Sequence, residues 1–194
     1  MNLNFSLLAP ELAIVIAAIV LILADLLIKK KDGLPVIALL GIIVSGLLAL
    51  SQSGGGKSFS GMLLADNFAI FFKILFLSAA GMVVLSSIDY VKKMSRFQGE
   101  YYALLLFATL GMMLMASTGE LISIYISLEL ASLSLYALSG LLKDPKSNEA
   151  SLKYLLLGAM ASAVLLYGMA LIFGLTGKTQ LGDIADALKK MGLA

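Results

Sequence analysis

The sequence predicts an all-α integral membrane protein with six spanning helices. Composition, segment length and polar spacing predict it together. Of the 194 residues 60% are hydrophobic and 13% charged, with mean hydropathy +1.01; soluble domains average about 45–50% apolar and 25% charged. No single soluble core hides that much apolar surface. Six apolar runs, about 8–28, 34–51, 68–88, 102–118, 120–142 and 151–174, approach the roughly 20 residues a spanning helix needs. They lack the period-two alternation of barrel strands, so helices are favoured.

The first run follows MNLNFSLLAPEL. No positive region precedes it, so it reads as a retained span rather than a cleaved signal. The connections after the first, third and fifth runs carry Lys29, Lys30 and Lys31, then Lys92, Lys93 and Arg96, then Lys143 and Lys146. Positive charge marks the cytoplasmic side of short loops, so the expected orientation puts the N-terminus outside. Lys57, and Lys178, Lys189 and Lys190 in the tail, lie on the opposite side. The tail LGDIADALKKMGLA reads as a short amphipathic surface helix.

SQSGGGKSFSG reads as a flexible outer loop. Its GGGKS fails as a phosphate loop, since Ser51 stands where the first glycine belongs and no strand precedes it; TGKT at 176–179 fails because Ile172 occupies that place. The chain has no Cys and no His, which removes disulfides, His or Cys haem ligation, iron–sulfur clusters and the usual zinc sites within it. Net charge is only +2, which gives no reason to expect nucleic acid. Proton chemistry here falls to Glu, Asp, Lys, Tyr or water.

The fifth run holds the leading candidate. Glu129 lies at its middle, where comparable charges cost about 2.5–3.5 kcal/mol on insertion scales. Tyr125, Glu129, Ser132 and Tyr136 are spaced four, three and four, which puts them on one helix face. Lipid cannot satisfy such a stripe, so it should face protein or water. One reading makes Glu129 a proton-loading group, because burial raises and a nearby cation lowers a carboxylate pKa. The other makes it a structural hydrogen bond between helices.

Lys153 is the second candidate, near the start of the sixth run and four residues after Glu149. It either carries protons or snorkels to the interface. Small residues follow it, Gly158, Ala159, Ala161, Ser162 and Ala163, suited to close helix packing. Lys73 is a possible further site, although its shallow position favours snorkelling. Glu11 and Asp25 read as interfacial anchors; Asp66, Asp89, Glu100 and Glu120 read as solvated helix ends. The ten methionines read as core filler.

Three stretches resemble subunit N of proton-translocating NADH:quinone oxidoreductase, respiratory complex I: EYYALLLFATLGMMLMAS, LISIYISLELASLSLYALSG and KSNEASLKYLLLGAMASAVLLYGMALIFGLTG. Leu128 before Glu129 fits subunit N better than its sister subunits, which typically carry an aromatic there. DNFAIFFKILFLSAAG extends the likeness more loosely into the first hundred residues. The resemblance implies an antiporter-like subunit of fourteen helices, three leading ones and then two inverted five-helix repeats. Within one membrane domain over 1–194, residues 1–90 would be the leading helices, 100–176 the first three helices of a repeat and 177–194 the tail.

The resemblance also implies roles. Glu129 would be the fifth-helix glutamate that pairs with a lysine on a broken seventh helix, and Lys153 the sixth-helix lysine. That seventh helix has no counterpart in these 194 residues, so the expectation is that they alone translocate no protons. The chain would bind no cofactor; flavin, iron–sulfur clusters and quinone would sit in other subunits. Partners would be other membrane subunits, including the sister antiporter-like subunits, a hydrophilic redox arm and lipid, in an energy-transducing membrane such as the bacterial inner membrane. An antiporter without redox coupling and a structural scaffold are the alternatives.

Overall fold

The computed structural model describes residues 5–28, 31–52, 56–58, 62–94 and 96–192. A 3-10 turn, Phe5–Leu8, leads into α1 (Ala9–Leu27); α2 (Leu34–Ser51), a hairpin of β1 (Gly56–Ser58) and β2 (Leu63–Ala65), and α3 (Asn67–Lys92) follow. Then come α4 (Gln98–Ala116), α5 (Leu121–Ser139), α6 (Pro145–Thr176) and α7 (Leu181–Lys190). α1 to α6 are each long and apolar enough to cross a membrane.

Local chemistry sets several boundaries. Asp66 caps α3 by accepting from Ala69 N–H at 2.8 Å, and Asp144 caps α6 by accepting from Ser147 N–H at 2.9 Å. Such caps satisfy amide donors that the first turn leaves free. Prolines stand in the first turns of α1, α2 and α6, where a missing N–H costs nothing. Gly177 closes α6 at φ 64°, donating its N–H to the Phe173 carbonyl at 2.7 Å. α6 therefore starts at Pro145, ahead of the apolar run expected from 151. Its first two turns are polar, and the cap rather than hydropathy fixes its start.

The helices pack as neighbours in sequence, with α4 also against α1 and α2. One apolar cluster joins α1, α2, α3 and α4, with Ile14, Leu21, Val84, Leu106 and Met113 almost wholly enclosed. Small residues bring the backbones close. An ideal Cβ on Gly41 would collide with Ala17 Cβ, and one on Gly111 would lie 2.6 Å from the Ala131 nitrogen. Buried hydroxyls are satisfied within the bundle: Ser127 donates to the Ser123 carbonyl at 2.7 Å, and Ser45 crosses from α2 to the Pro10 carbonyl at 2.8 Å.

Odd and even connections gather at opposite ends. At one end Leu64 N–H reaches the Ser117 carbonyl at 2.7 Å, and Leu121 N–H the Thr179 carbonyl at 2.9 Å. At the other, Asp25 accepts from Gly99 N–H at 3.2 Å and pairs with Lys31 at 2.9 Å. Lys31, Lys93, Arg96, Lys143 and Lys146 share this second end; Lys29, Lys30 and the side chain of Lys57 lie outside the described residues. GGGKS is only partly loop: Gly56–Ser58 pairs antiparallel with Leu63–Ala65, and a helix, not a strand, precedes it. α7 is held by Leu181 N–H on the Gly119 carbonyl, with Ile184 buried.

Gly111→Ala should lower the thermal midpoint of helicity in detergent, because backbone atoms block its Cβ and overpacking costs about 1–3 kcal/mol. Gly168→Ala, with no heavy atom within 4 Å of its Cβ, should be neutral or stabilising. Equal midpoints for the two variants would refute this account of the α4–α5 contact.

Candidate functional site: a carboxylate on the α5–α6 seam and a buried ion pair

α5 has two polar faces. Ser127 and Ser134 are buried and bonded back to their own helix, while Gly111 of α4 presses against Ala131 on the same side. The Tyr125–Glu129–Ser132–Tyr136 stripe turns toward α6. Tyr136 is buried, its ring 4.7 Å from that of Tyr154 in an edge-on arrangement. Its hydroxyl occupies the space where a side chain at Gly158 would begin. Ser151 donates to the Tyr136 carbonyl at 2.8 Å, binding α6 to α5 beside this contact.

At the hairpin end of the seam the helices part. Tyr125 lines a cleft of about 290 Å³ with Leu166, Met169, Ala170 and Phe173. Glu129 lies between these two zones and interacts with Tyr125 one turn away. The Tyr136–Gly158 contact on one side and the Tyr125–Leu166 cleft on the other set it opposite the middle of α6. It is half-buried, and its Oε1 is buried with no hydrogen-bond partner. Leaving such a group unpaired costs about 1–3 kcal/mol, more when charged. Ser132 is half-buried on the same face. The stripe is thus brought together as one surface.

Lys153 is not brought to it. Its side chain is 71% exposed and paired with Glu149, which is 65% exposed. It stands roughly 15 Å of helix rise from the level of Glu129. No residue of α6 is buried, so the face presenting Lys153 is open.

The pair that sequence reasoning missed is Glu11 with Lys73. The anchor and snorkelling readings are overturned, since Lys73 Nζ lies 2.8 Å from Glu11 Oε1 with side chains 0% and 3% exposed. Ser117 Oγ donates to Glu11 Oε1 at 3.4 Å, and Lys73 donates to Gln52 Oε1 at 3.4 Å. Glu11 Oε2 is buried without a partner. α1 and α3 run in the same direction and carry these charges near their starts. That shared level was the available signal. Glu120 is also buried rather than solvated, accepting from Ser123 Oγ at 2.7 Å. Asp66, Asp89 and Glu100 are exposed. Among the described residues no three His, Cys, Asp or Glu side chains group to hold a metal.

Removing one partner of a buried pair leaves an uncompensated charge, at about 3–5 kcal/mol. Glu11→Leu and Lys73→Met singly should therefore each reduce folded yield and thermal midpoint sharply. The double variant should recover most of the loss. A double variant as unstable as the worse single one would refute this.

Residues 118–193 match the family model described as NADH:quinone oxidoreductase/Mrp antiporter. NADH-quinone oxidoreductase subunit N of Dehalococcoides mccartyi is 48% identical over 94% of this chain and 38% of its own length. That of Trichlorobacter lovleyi is 44% identical over 98% of this chain and 40% of its own. Respiratory complex I of Thermus thermophilus contains a chain that superposes with TM-score 0.76 at 33% identity, covering 93% of this chain and 41% of that one. A membrane-bound archaeal sulfane sulfur reductase shares the fold, with TM-score 0.79 at 23% identity. The chain spans about two-fifths of the length of the curated relatives it matches. Over that span, the chain matches subunit N of NADH-quinone oxidoreductases in sequence and a chain of respiratory complex I in helix arrangement.

Proposed function

We propose that this chain supplies the leading helices of a membrane-arm subunit that translocates protons as NADH is oxidised by quinone. The observation that carries the reading is Glu129, a carboxylate at mid-helix with a buried, unpartnered oxygen on a seam whose other wall is open. In this reading Glu129 gains and loses charge stabilisation as a cation from outside these 194 residues approaches across the seam. Tyr125, Ser132 and Tyr136 orient the carboxylate and hold water beside it. Lys153, at the lysine-rich end, hands protons toward the seam. Lys73 holds Glu11 and takes no part in the cycle.

The chain carries no redox group of its own; flavin, iron–sulfur clusters and quinone belong to other subunits. Its partners are the sister membrane subunits, a hydrophilic redox arm and lipid of a bacterial inner membrane. The N-terminus lies outside, as the lysine-rich end implies. The family description embraces antiporters as well as the oxidoreductase, but the closely similar relatives carry the subunit N name, which favours redox coupling.

Glu129→Gln in the parent complex should lower proton flux per electron severalfold, with assembly and peripheral NADH oxidation intact. Full pumping by that variant would leave Glu129 a structural bond. Lys153→Gln should lower flux less. These residues reconstituted alone should pass no protons, since no cation among the described residues pairs with Glu129; a measured flux would overturn the proposal that the partner lies outside them.

A further inference from the structure

A cavity of about 790 Å³ opens at the lysine-rich end of the bundle, away from the Glu129 seam. Lys93 closes α3, Arg96 and Phe97 lie in the α3–α4 connection, and Lys143 follows α5; all four line it together with Tyr90 and Leu142. Three cations from two separate connections thus face one space, and no carboxylate lines it. The nearby acids are occupied or turned away. Asp144 caps α6, Asp25 holds Lys31 and Gly99 N–H, and Asp89 and Glu100 are exposed outside the cavity. Among the described residues none of the three cations joins an ion pair.

The backbone marks the same place. Among the described residues only two non-glycines have positive φ, Phe97 at 67° and Lys143 at 57°. Left-handed backbone costs an ordinary residue about 1–2 kcal/mol and persists only where the surroundings impose it. These two are in contact, with Lys143 Nζ 4.8 Å from the centre of the Phe97 ring. The strain holds both connections so that their cations converge. The cavity sits at the ends of three spanning helices, the headgroup level of a bilayer, and has an apolar wall in Leu142 and the Tyr90 ring. Val83, exposed two turns back from Tyr90 on the same face of α3, continues that wall toward the bilayer interior.

We propose that this cavity binds the phosphodiester headgroup of an anionic phospholipid. Arg96 offers a planar fork of donors to phosphate oxygens, and Lys93 and Lys143 add point charges. The acyl chains run along α3. The site is independent of the Glu129 proposal and requires only that the bundle span a membrane.

The test uses the parent complex in nanodiscs containing trace photoactivatable phosphatidylglycerol or phosphatidylcholine, with peptide mass spectrometry of the adducts. Residues 90–97 and 142–146 should be labelled at least about fivefold more by the glycerol lipid. Each basic group is worth roughly fivefold at a membrane surface, so Lys143→Gln alone should lower that labelling about fivefold. The triple variant K93Q/R96Q/K143Q should bring it to the choline level while labelling of α6 stays constant. Equal labelling by both lipids, or labelling unchanged by Lys143→Gln, would overturn the proposal. So would loss of labelling to millimolar inorganic phosphate, which would assign the site to a soluble anion. Absence of labelling by either lipid would overturn it too, by showing that protein covers the cavity.

Discussion

A charge removed from water inside an apolar bundle is costly unless it is paired or hydrogen-bonded, and in this chain the most deeply enclosed pair ties together helices that are not neighbours in sequence. Glu11 and Lys73 meet at 2.8 Å between α1 and α3. Their desolvation is offset only with close geometry and further polar partners, and Ser117 at the end of α4 and Gln52 at the end of α2 provide these. Four helices are thereby fixed at one level. The hairpin and the α4–α5 turn then close over that end, joined through Leu64 and Ser117. The apolar cluster of α1 to α4 fills the space below.

α5 belongs to two environments. Its serine face is locked to α4 by the Gly111 contact and by hydroxyls turned back on its own carbonyls. Its other polar face meets only α6, gripped at Tyr136 and Gly158 and parted at Tyr125. α6 has no buried residue along its 32 positions. One helix thus joins the bundle of α1 to α4 to α6, and Glu129 lies on its α6 side.

Much of this was legible beforehand. Hydropathy located all six spans, because length and composition alone distinguish a membrane helix. The spacing of Tyr125, Glu129, Ser132 and Tyr136 gave their common face, since helical period is a local property. The Glu11–Lys73 pair was not legible residue by residue, because each charge taken alone lies shallow enough to snorkel. Only the parallel course of α1 and α3 puts them at one level. The apolar run from 151 did not mark the start of α6, because a cap, not an apolar residue, determines it. The hairpin was missed because three-residue strands leave no periodicity to read.

The two intramembrane carboxylates differ in a way that bears on which one can cycle. Glu11 is held by a lysine whose own burial is complete. Loss of either side chain would strand the other's charge, so the pair ties α1 to α3. Among the described residues Glu129 has the reverse arrangement: a hydroxyl neighbour, an unpartnered oxygen and no cation paired with it. The tightly paired charge thus holds helices together, whereas Glu129 is tied into no such pair, and that difference is the ground on which the proton-carrying role is proposed for it.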